Sequence, residues 1–363
     1  MTAQNVIEMR KVTKIFGEFV ANDQIDLQVR KGEIHALLGE NGAGKSTLMN
    51  MLSGLLEPTS GEILVNGELE KIDSPSKASK LGIGMVHQHF MLVDAFTVTE
   101  NIILGNETVH GGKLDIKKAE KEILELSQKY GLEVKPDALV RDINVGQQQR
   151  VEILKTLYRG ADILIFDEPT AVLTPAEILE LLEIMRNLVK EGKSIILITH
   201  KLDEIRAVAE RVTVIRRGKS IQTVNVAGRS SKELAEMMVG HSVSFVTEKK
   251  AANPGKVVLD IKDLVVNESR GAQAVKSLSL QVHAGEIVGI AGIDGNGQSE
   301  LVRAITGLQH VESSQRDVKC QNGASCRPRQ ITEMSVAHIP EDRHRDGFIL
   351  AMTVADNISL QNY

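Results

Sequence analysis

The run Gly39-Glu40-Asn41-Gly42-Ala43-Gly44-Lys45-Ser46-Thr47 fits the phosphate-cradling pattern G-x-x-x-x-G-K-[ST] without a mismatch. Apolar residues 34–38 read as a buried parallel strand ending at Gly39, and residues 46–52 open a helix, so the context is strand, loop, helix. Gly42 and Gly44 permit positive φ and close backbone approach, which lets successive N–H groups at a helix N-terminus converge on phosphate oxygens. Lys45 adds a full charge for the terminal phosphates, and the Ser46 hydroxyl is placed for Mg²⁺.

A second, altered copy of the loop begins at Gly292, 253 residues after Gly39. It runs Gly292-Ile293-Asp294-Gly295-Asn296-Gly297-Gln298-Ser299 and has Gln298 where the lysine should be. At the same offset Gly32, Gly54 and Gln88 become Gly285, Gly307 and Glu341, so two copies of one domain stand in tandem. The first copy is expected over residues 1–245, a polar linker over 246–256, and the second copy over 257–363. By this alignment roughly the last 130 residues of a complete second copy are expected to be missing.

Composition suits a large α/β protein. The 363 residues are 42% hydrophobic and 25% charged, with a net charge of −5, which speaks against a dedicated nucleic-acid binder. No apolar run reaches membrane-span length and residues 1–10 do not read as a signal peptide, so the chain is expected in the cytosol. Cys320 and Cys326 match no zinc or redox spacing. Around them, residues 314–320 carry charges where the first copy has apolar 61–67; an edge strand and a local reading-frame slip are the two explanations.

More chemistry follows in the first copy. Residues 163–166 form an unbroken apolar run with Asp167 and Glu168 at its C-terminal tip, where ligands sit in parallel sheets. A second such strand, residues 194–199, leads into His200. Between them Thr174-Pro175-Ala176-Glu177 is a capping box, followed by apolar residues at helical spacing and a stop at Gly192. His87 and His89, two residues apart with no third ligand in view, read as polar loop residues.

Phosphate loop, Gln88, Gly146-Gln147-Gln148-Gln149-Arg150, Asp167-Glu168 and His200 occur in the order of the ATP-binding-cassette (ABC) ATPases, and the chain resembles that superfamily over its whole length. The resemblance implies a P-loop cassette with a parallel-sheet core, an antiparallel β region and a helical subdomain over about 89–159, followed by the N-terminal part of a second cassette. It implies ATP and Mg²⁺ as ligands. Phe16 would stack on adenine, residues 39–47 would hold the phosphates, and Ser46, Gln88 and Asp167 would serve Mg²⁺. Glu168 would be the general base and His200 the switch at the γ-phosphate. Cassettes of this superfamily pair head to tail, each ATP lying between one phosphate loop and the other cassette's signature helix. That signature is altered here to Ile143-Asn144-Val145-Gly146-Gln147, of which Asn144, Gly146 and Gln147 would still reach nucleotide, and it would face the Gln298 loop. Ser269, 253 after Phe16, would lack the stacking ring.

An intact first loop, a degenerate second loop and a short linker resemble the energising subunits of simple-sugar and nucleoside importers. Residues 85–93 and 167–175, with Thr174 after the base, most resemble the nucleoside branch. The partners implied are membrane permease subunits and, indirectly, a substrate-binding protein, with the chain held peripherally on the cytoplasmic face. Two readings compete: import of monosaccharides such as ribose or galactose, and a soluble tandem cassette acting on ribosomes or DNA.

Overall fold

The computed structural model of the chain describes residues 4–87, 90–110, 113–171, 173–244, 249, 251–267, 272–292, 295–309, 311, 313–318, 321–322, 327–342 and 346–360. It packs as two units, Met1–Val246 and Thr247–Tyr363.

The first unit contains two sheets. One is antiparallel, in the order β2 (Phe19–Arg30), β1 (Asn5–Phe16), β4 (Ser60–Val65), β5 (Glu68–Leu69). The other runs β12 (Lys219–Asn225), β11 (Arg211–Arg216), β3 (Ile34–Leu38), β10 (Ser194–Ile198), β9 (Ile163–Asp167), β6 (Ile83–Val86), and is parallel except for β12. Every residue of β3 and β10 is buried, which is why neither alternates: β10 is apolar from Ile195 to Ile198, and β3 is apolar except for the buried His35. Helix α1 (Lys45–Leu52) lies between the sheets, and its Leu48, Met49, Met51 and Leu52 share one core with Ile7, Ile25, Ile63, Ile196 and Ile198.

On the other side of the parallel sheet α6 (Pro175–Lys190) starts at the Thr174–Glu177 capping box with proline in its first turn. Its Leu181, Leu182, Met185 and Leu188 pack in one cluster with Leu164, Phe166 and Ile195. That cluster continues into α3 (Val98–Ile103), α4 (Ile116–Tyr130) and α5 (Val145–Tyr158), the helices expected for the region 89–159. A small hairpin, β7 (Val109–His110) and β8 (Lys113–Leu114), precedes α4. Helices α2 (Pro75–Lys80), α7 (Leu202–Val208) and α8 (Ser231–Val239) complete the unit. Register sets the site: Ile198 of β10 pairs with Leu37 of β3 and with Asp167 of β9, so the three C-terminal ends lie level.

The second unit repeats the antiparallel sheet in the same order: β14 (Gln273–His283), β13 (Val257–Asn267), β15 (Ser313–Val318), β16 (Gln321–Asn322). Helices α9 (Gln298–Ile305), α10 (Pro328–Glu333) and α11 (Val354–Ser359) accompany it. Val318 pairs with Leu259 as Val65 pairs with Ile7, so the charged segment takes the place of β4 in the fold. Cys320 and Cys326 lie outside the described residues. One alignment needs correction. The left-handed residues Lys11 and Asp263 are 252 apart, whereas Gln24 and Ser277 are 253 apart, so the second copy is one residue longer at the hairpin tip. Phe16 therefore aligns with Glu268 rather than Ser269, and both of these lie outside the described residues.

Residues 286–292, the counterpart of β3, form no strand. In the first unit β3 is held between β10 and β11, drawn from residues 194–216; at offsets of 253–256 their counterparts fall beyond residue 363. Ile287 is 85% exposed and Ile339 91%, where Ile34 and Val86 are buried.

Candidate nucleotide site

Because the strands end level, loop 39–44, Asp167-Glu168 and His200 meet at one edge of the parallel sheet. A cavity of ≈420 Å³ opens there, and Asn41, Gly42, Gly44, Lys45, Ser46, Thr47, Asp167 and Glu168 line it. Gly42 has φ +79° and Gly44 φ +100°, conformations that favour glycine. A Cβ on Gly42 would touch nothing, so the loop stands open on that side. On Gly44 a Cβ would meet Ala21 O and Asn22 Nδ2 at 2.6 Å, so the loop is packed hard from behind.

The Lys45 side chain is buried and its ammonium donates to Gly39 O (2.7 Å) and Glu40 O (3.0 Å). Burial pushes its pKa down, against the opposing pull of Glu168 and Asp167. Asp167 carries the complementary perturbation. Burial raises its pKa, while a hydrogen bond from Ser46 and the charges of His87 and Lys45 act the other way. Ala43 faces away from the cavity, and its carbonyl accepts from Gly218 N (3.0 Å).

Glu168 has φ +45°, a strained conformation for a residue with a side chain, held by Glu168 N donating to Ile198 O (2.9 Å) and Ala171 N donating to Glu168 O (3.2 Å). Its carboxylate Oε1 lies 3.1 Å from Nδ1 of His200, on the loop after the neighbouring strand. A carboxylate and an imidazole at this separation can hold and pass a proton.

Other expected site residues stand apart from this cavity. Phe16 is exposed at the end of β1, with the Lys14 ammonium 5.2 Å from its ring centre. Its cross-strand partner Phe19 lines the cavity, an aromatic the sequence reading passed over. Asn144 caps α5, its side chain accepting from Gln147 N (2.8 Å) while Gln147 accepts from Asn144 N (3.1 Å). A Cβ on Gly146 would fall 2.5 Å from Glu177 Oε1, so the cap of α6 touches the start of α5. Gln88 lies outside the described residues.

These residues fit a nucleotide and its divalent cation. The open glycine loop and buried ammonium suit phosphate oxygens, and the Ser46 hydroxyl and Asp167 carboxylate, which line the same cavity, are hard oxygen donors of the kind Mg²⁺ takes. Among the described residues no group of three or more His, Cys, Asp or Glu could hold a metal without such help.

The ABC transporter family profile matches residues 22–171. The chain is 72% identical over 363 residues to the nucleoside import ATP-binding protein NupA of Lactococcus lactis subsp. cremoris (strain MG1363), covering all of this chain and 72% of that protein. It is 61% identical over 358 residues to the guanosine import ATP-binding protein NupO of Bacillus subtilis (strain 168), covering 99% of this chain and 70% of the relative. Among solved structures, cbiO1 from Clostridium perfringens, part of the ABC transporter complex cbiONQ, superposes with a TM-score of 0.55 at 30% identity, covering 65% of this chain and 93% of that one. With its phosphate loop, acidic strand tip and helical region in one cassette, the chain belongs to the ATP-binding proteins of ABC transporters.

Proposed function

We propose that the cavity beside Lys45 binds and hydrolyses Mg-ATP to drive nucleoside import through membrane permease subunits, fed indirectly by a substrate-binding protein. The observation that carries the catalytic part is the juxtaposition of two pairs, Ser46 with Asp167 and Glu168 with His200, around one buried lysine. The nucleoside part rests on identities of 72% and 61% to ATP-binding proteins named for nucleoside and guanosine import.

In this reading the loop amides and the Lys45 ammonium hold the β- and γ-phosphates. Ser46, Asp167 and Gln88 hold Mg²⁺, which when bound neutralises charge on the phosphate oxygens. Glu168 takes the proton from the attacking water, and His200 orients Glu168 and contacts the γ-phosphate. Phe16 stacks on adenine. Asn144, Gly146 and Gln147 serve the nucleotide of a second cassette paired head to tail. In this reading the domains are a first cassette over residues 1–245, a linker over 246–256, and second-cassette sequence over 257–363.

The permease docks beside the Gln88 loop, where a groove of ≈400 Å³ lined by Ser53, Pro75, Met85, His87, Met91 and Arg159 separates the core from the helical region. Among the described residues no helix is long and apolar enough to cross a membrane, which suits peripheral attachment at the cytoplasmic face. Uptake of labelled guanosine and labelled ribose by vesicles carrying the chain, its permease and binding protein tests the reading. Guanosine uptake lost in Lys45→Ala supports it, and ribose uptake alone refutes it.

A further inference from the structure

The phosphate loop is gripped from behind by backbone and side chains that never reach the cavity. Ala43 O accepts from Gly218 N (3.0 Å), and Gly218 O accepts from Asp23 N (2.7 Å). Next to these, Gly44 O accepts twice: from Leu48 N (3.0 Å) within α1 and from the Asn22 side-chain Nδ2 (3.1 Å) on β2. Asn22 is fully buried, and its Oδ1 has no hydrogen-bond partner among the described residues. A buried acceptor without a partner costs stability, whereas an apolar residue of similar shape there costs none. Stability alone therefore does not account for an asparagine at this position.

The second unit supplies a comparison. The position 253 after Asn22 is Val275, whose Cγ2 lies 3.4 Å from where a Gly297 Cβ would stand; Gly297 O accepts from Leu301 N (2.9 Å), but valine has no donor to offer it. The loop with the lysine has the asparagine, and the loop with Gln298 has an apolar residue in its place.

We propose that Asn22 is a positioning residue of the phosphate loop: its Nδ2 anchors the Gly44 carbonyl and so turns the loop amides and Lys45 toward the cavity, and Val275 marks the loss of this anchor in the second copy. The inference rests on the reading of loop 39–47 as the phosphate site. One neutral hydrogen bond of this kind corresponds to an affinity change of about fivefold.

The test is calorimetric titration of the full chain with Mg-ATP and with AMP, which has a single phosphate, for wild type, Asn22→Val and Asn22→Leu, with Lys45→Ala as control. Expected is a Kd for Mg-ATP about fivefold higher in both Asn22 variants, with AMP affinity unchanged and a thermal midpoint equal to or above wild type because the partnerless acceptor is gone. Leucine is nearer in size to asparagine, so it carries the test if the valine variant fails to fold. Unchanged Mg-ATP affinity overturns the proposal, as does equal loss for Mg-ATP and AMP together with a lower midpoint, which marks general damage. If Lys45→Ala also binds Mg-ATP like wild type, the phosphate-site reading itself fails; if only the Asn22 variants do, the fault lies with Asn22.

Discussion

Gly42 and Gly44 share a backbone conformation and differ in what lies behind them, which makes alanine at each a controlled pair. Both have φ well into the positive range, +79° and +100°, so alanine costs each about 1–2 kcal/mol of backbone strain. At Gly42 the new methyl meets nothing within 4 Å. At Gly44 it falls 2.6 Å from Ala21 O and 2.6 Å from Asn22 Nδ2, and clearing it means shifting β2 or opening the loop. Overpacking of this sort adds about 1–3 kcal/mol. Gly44→Ala should therefore be less stable than Gly42→Ala by roughly 2 kcal/mol, a sizeable part of the 5–15 kcal/mol typical of a domain. The chain has no tryptophan, so urea unfolding is followed by circular dichroism, with the larger transition assigned to the first unit. With a urea dependence of about 2–3 kcal/mol/M, the two midpoints should differ by roughly 0.7–1 M. Equal midpoints would falsify the close packing behind the loop.

Glu168→Gln keeps the shape and a hydrogen bond to His200 but cannot accept a proton; Mg-ATP binding should persist while turnover falls by about 10² to 10⁴. A rate within tenfold of wild type removes Glu168 as the base. Asp167 has a carboxyl whose pKa burial raises, so its ionised form opposes folding, and that opposition fades as pH drops through its folded pKa. Asp167→Asn should accordingly melt higher than wild type at pH 7, with the gain shrinking in acid, and should lose the Mg²⁺ dependence of ATP binding; a lower midpoint at pH 7 contradicts this. Turnover of these 363 residues should lie at least about a hundredfold below that of a chain in which a signature run follows Gln298, given 10² to 10³ per lost donor; equal rates would show that signature to be dispensable. The structure places β15 between β13 and β16 rather than at the sheet edge; reading residues 312–329 in the other frames of the coding DNA should reveal a Gly-x-Ile-like strand if the frame slipped there, and its absence ends that explanation.

Much of this site was legible because its elements are buried on both faces. Strands β9 and β10 stand out as runs of four apolar residues, β3 is apolar apart from His35, and the capping box at Thr174 announces α6 without help from tertiary structure. Lys45, Ser46, Asp167, Glu168 and His200 follow at fixed positions after those strands. Asn22 was not legible, since a polar residue in a half-exposed strand looks solvated until the fold turns it inward. The insertion at the second hairpin tip escaped for a related reason: loop residues carry no periodicity to fix the offset, and the left-handed pairs Lys11/Asp263 and Gln24/Ser277 reveal it. Nor does apolar sequence at 287–291 distinguish a strand with neighbours from one without them. Pairing partners lie far along the chain, beyond the reach of local pattern.

The brace behind the phosphate loop has a consequence in time. Gly218, whose N–H holds Ala43 and whose carbonyl holds Asp23, is made 175 residues after Ala43. At about 5–20 residues per second the ribosome needs roughly 9–35 s to make that stretch. Throughout that interval the Gly-rich segment exists with its lysine but without its support, and β3 waits for β10 and β11. Nucleotide capture by a nascent chain should begin only after the turn between β11 and β12 has left the exit tunnel, so that ATP meets a finished cassette and never a bare loop.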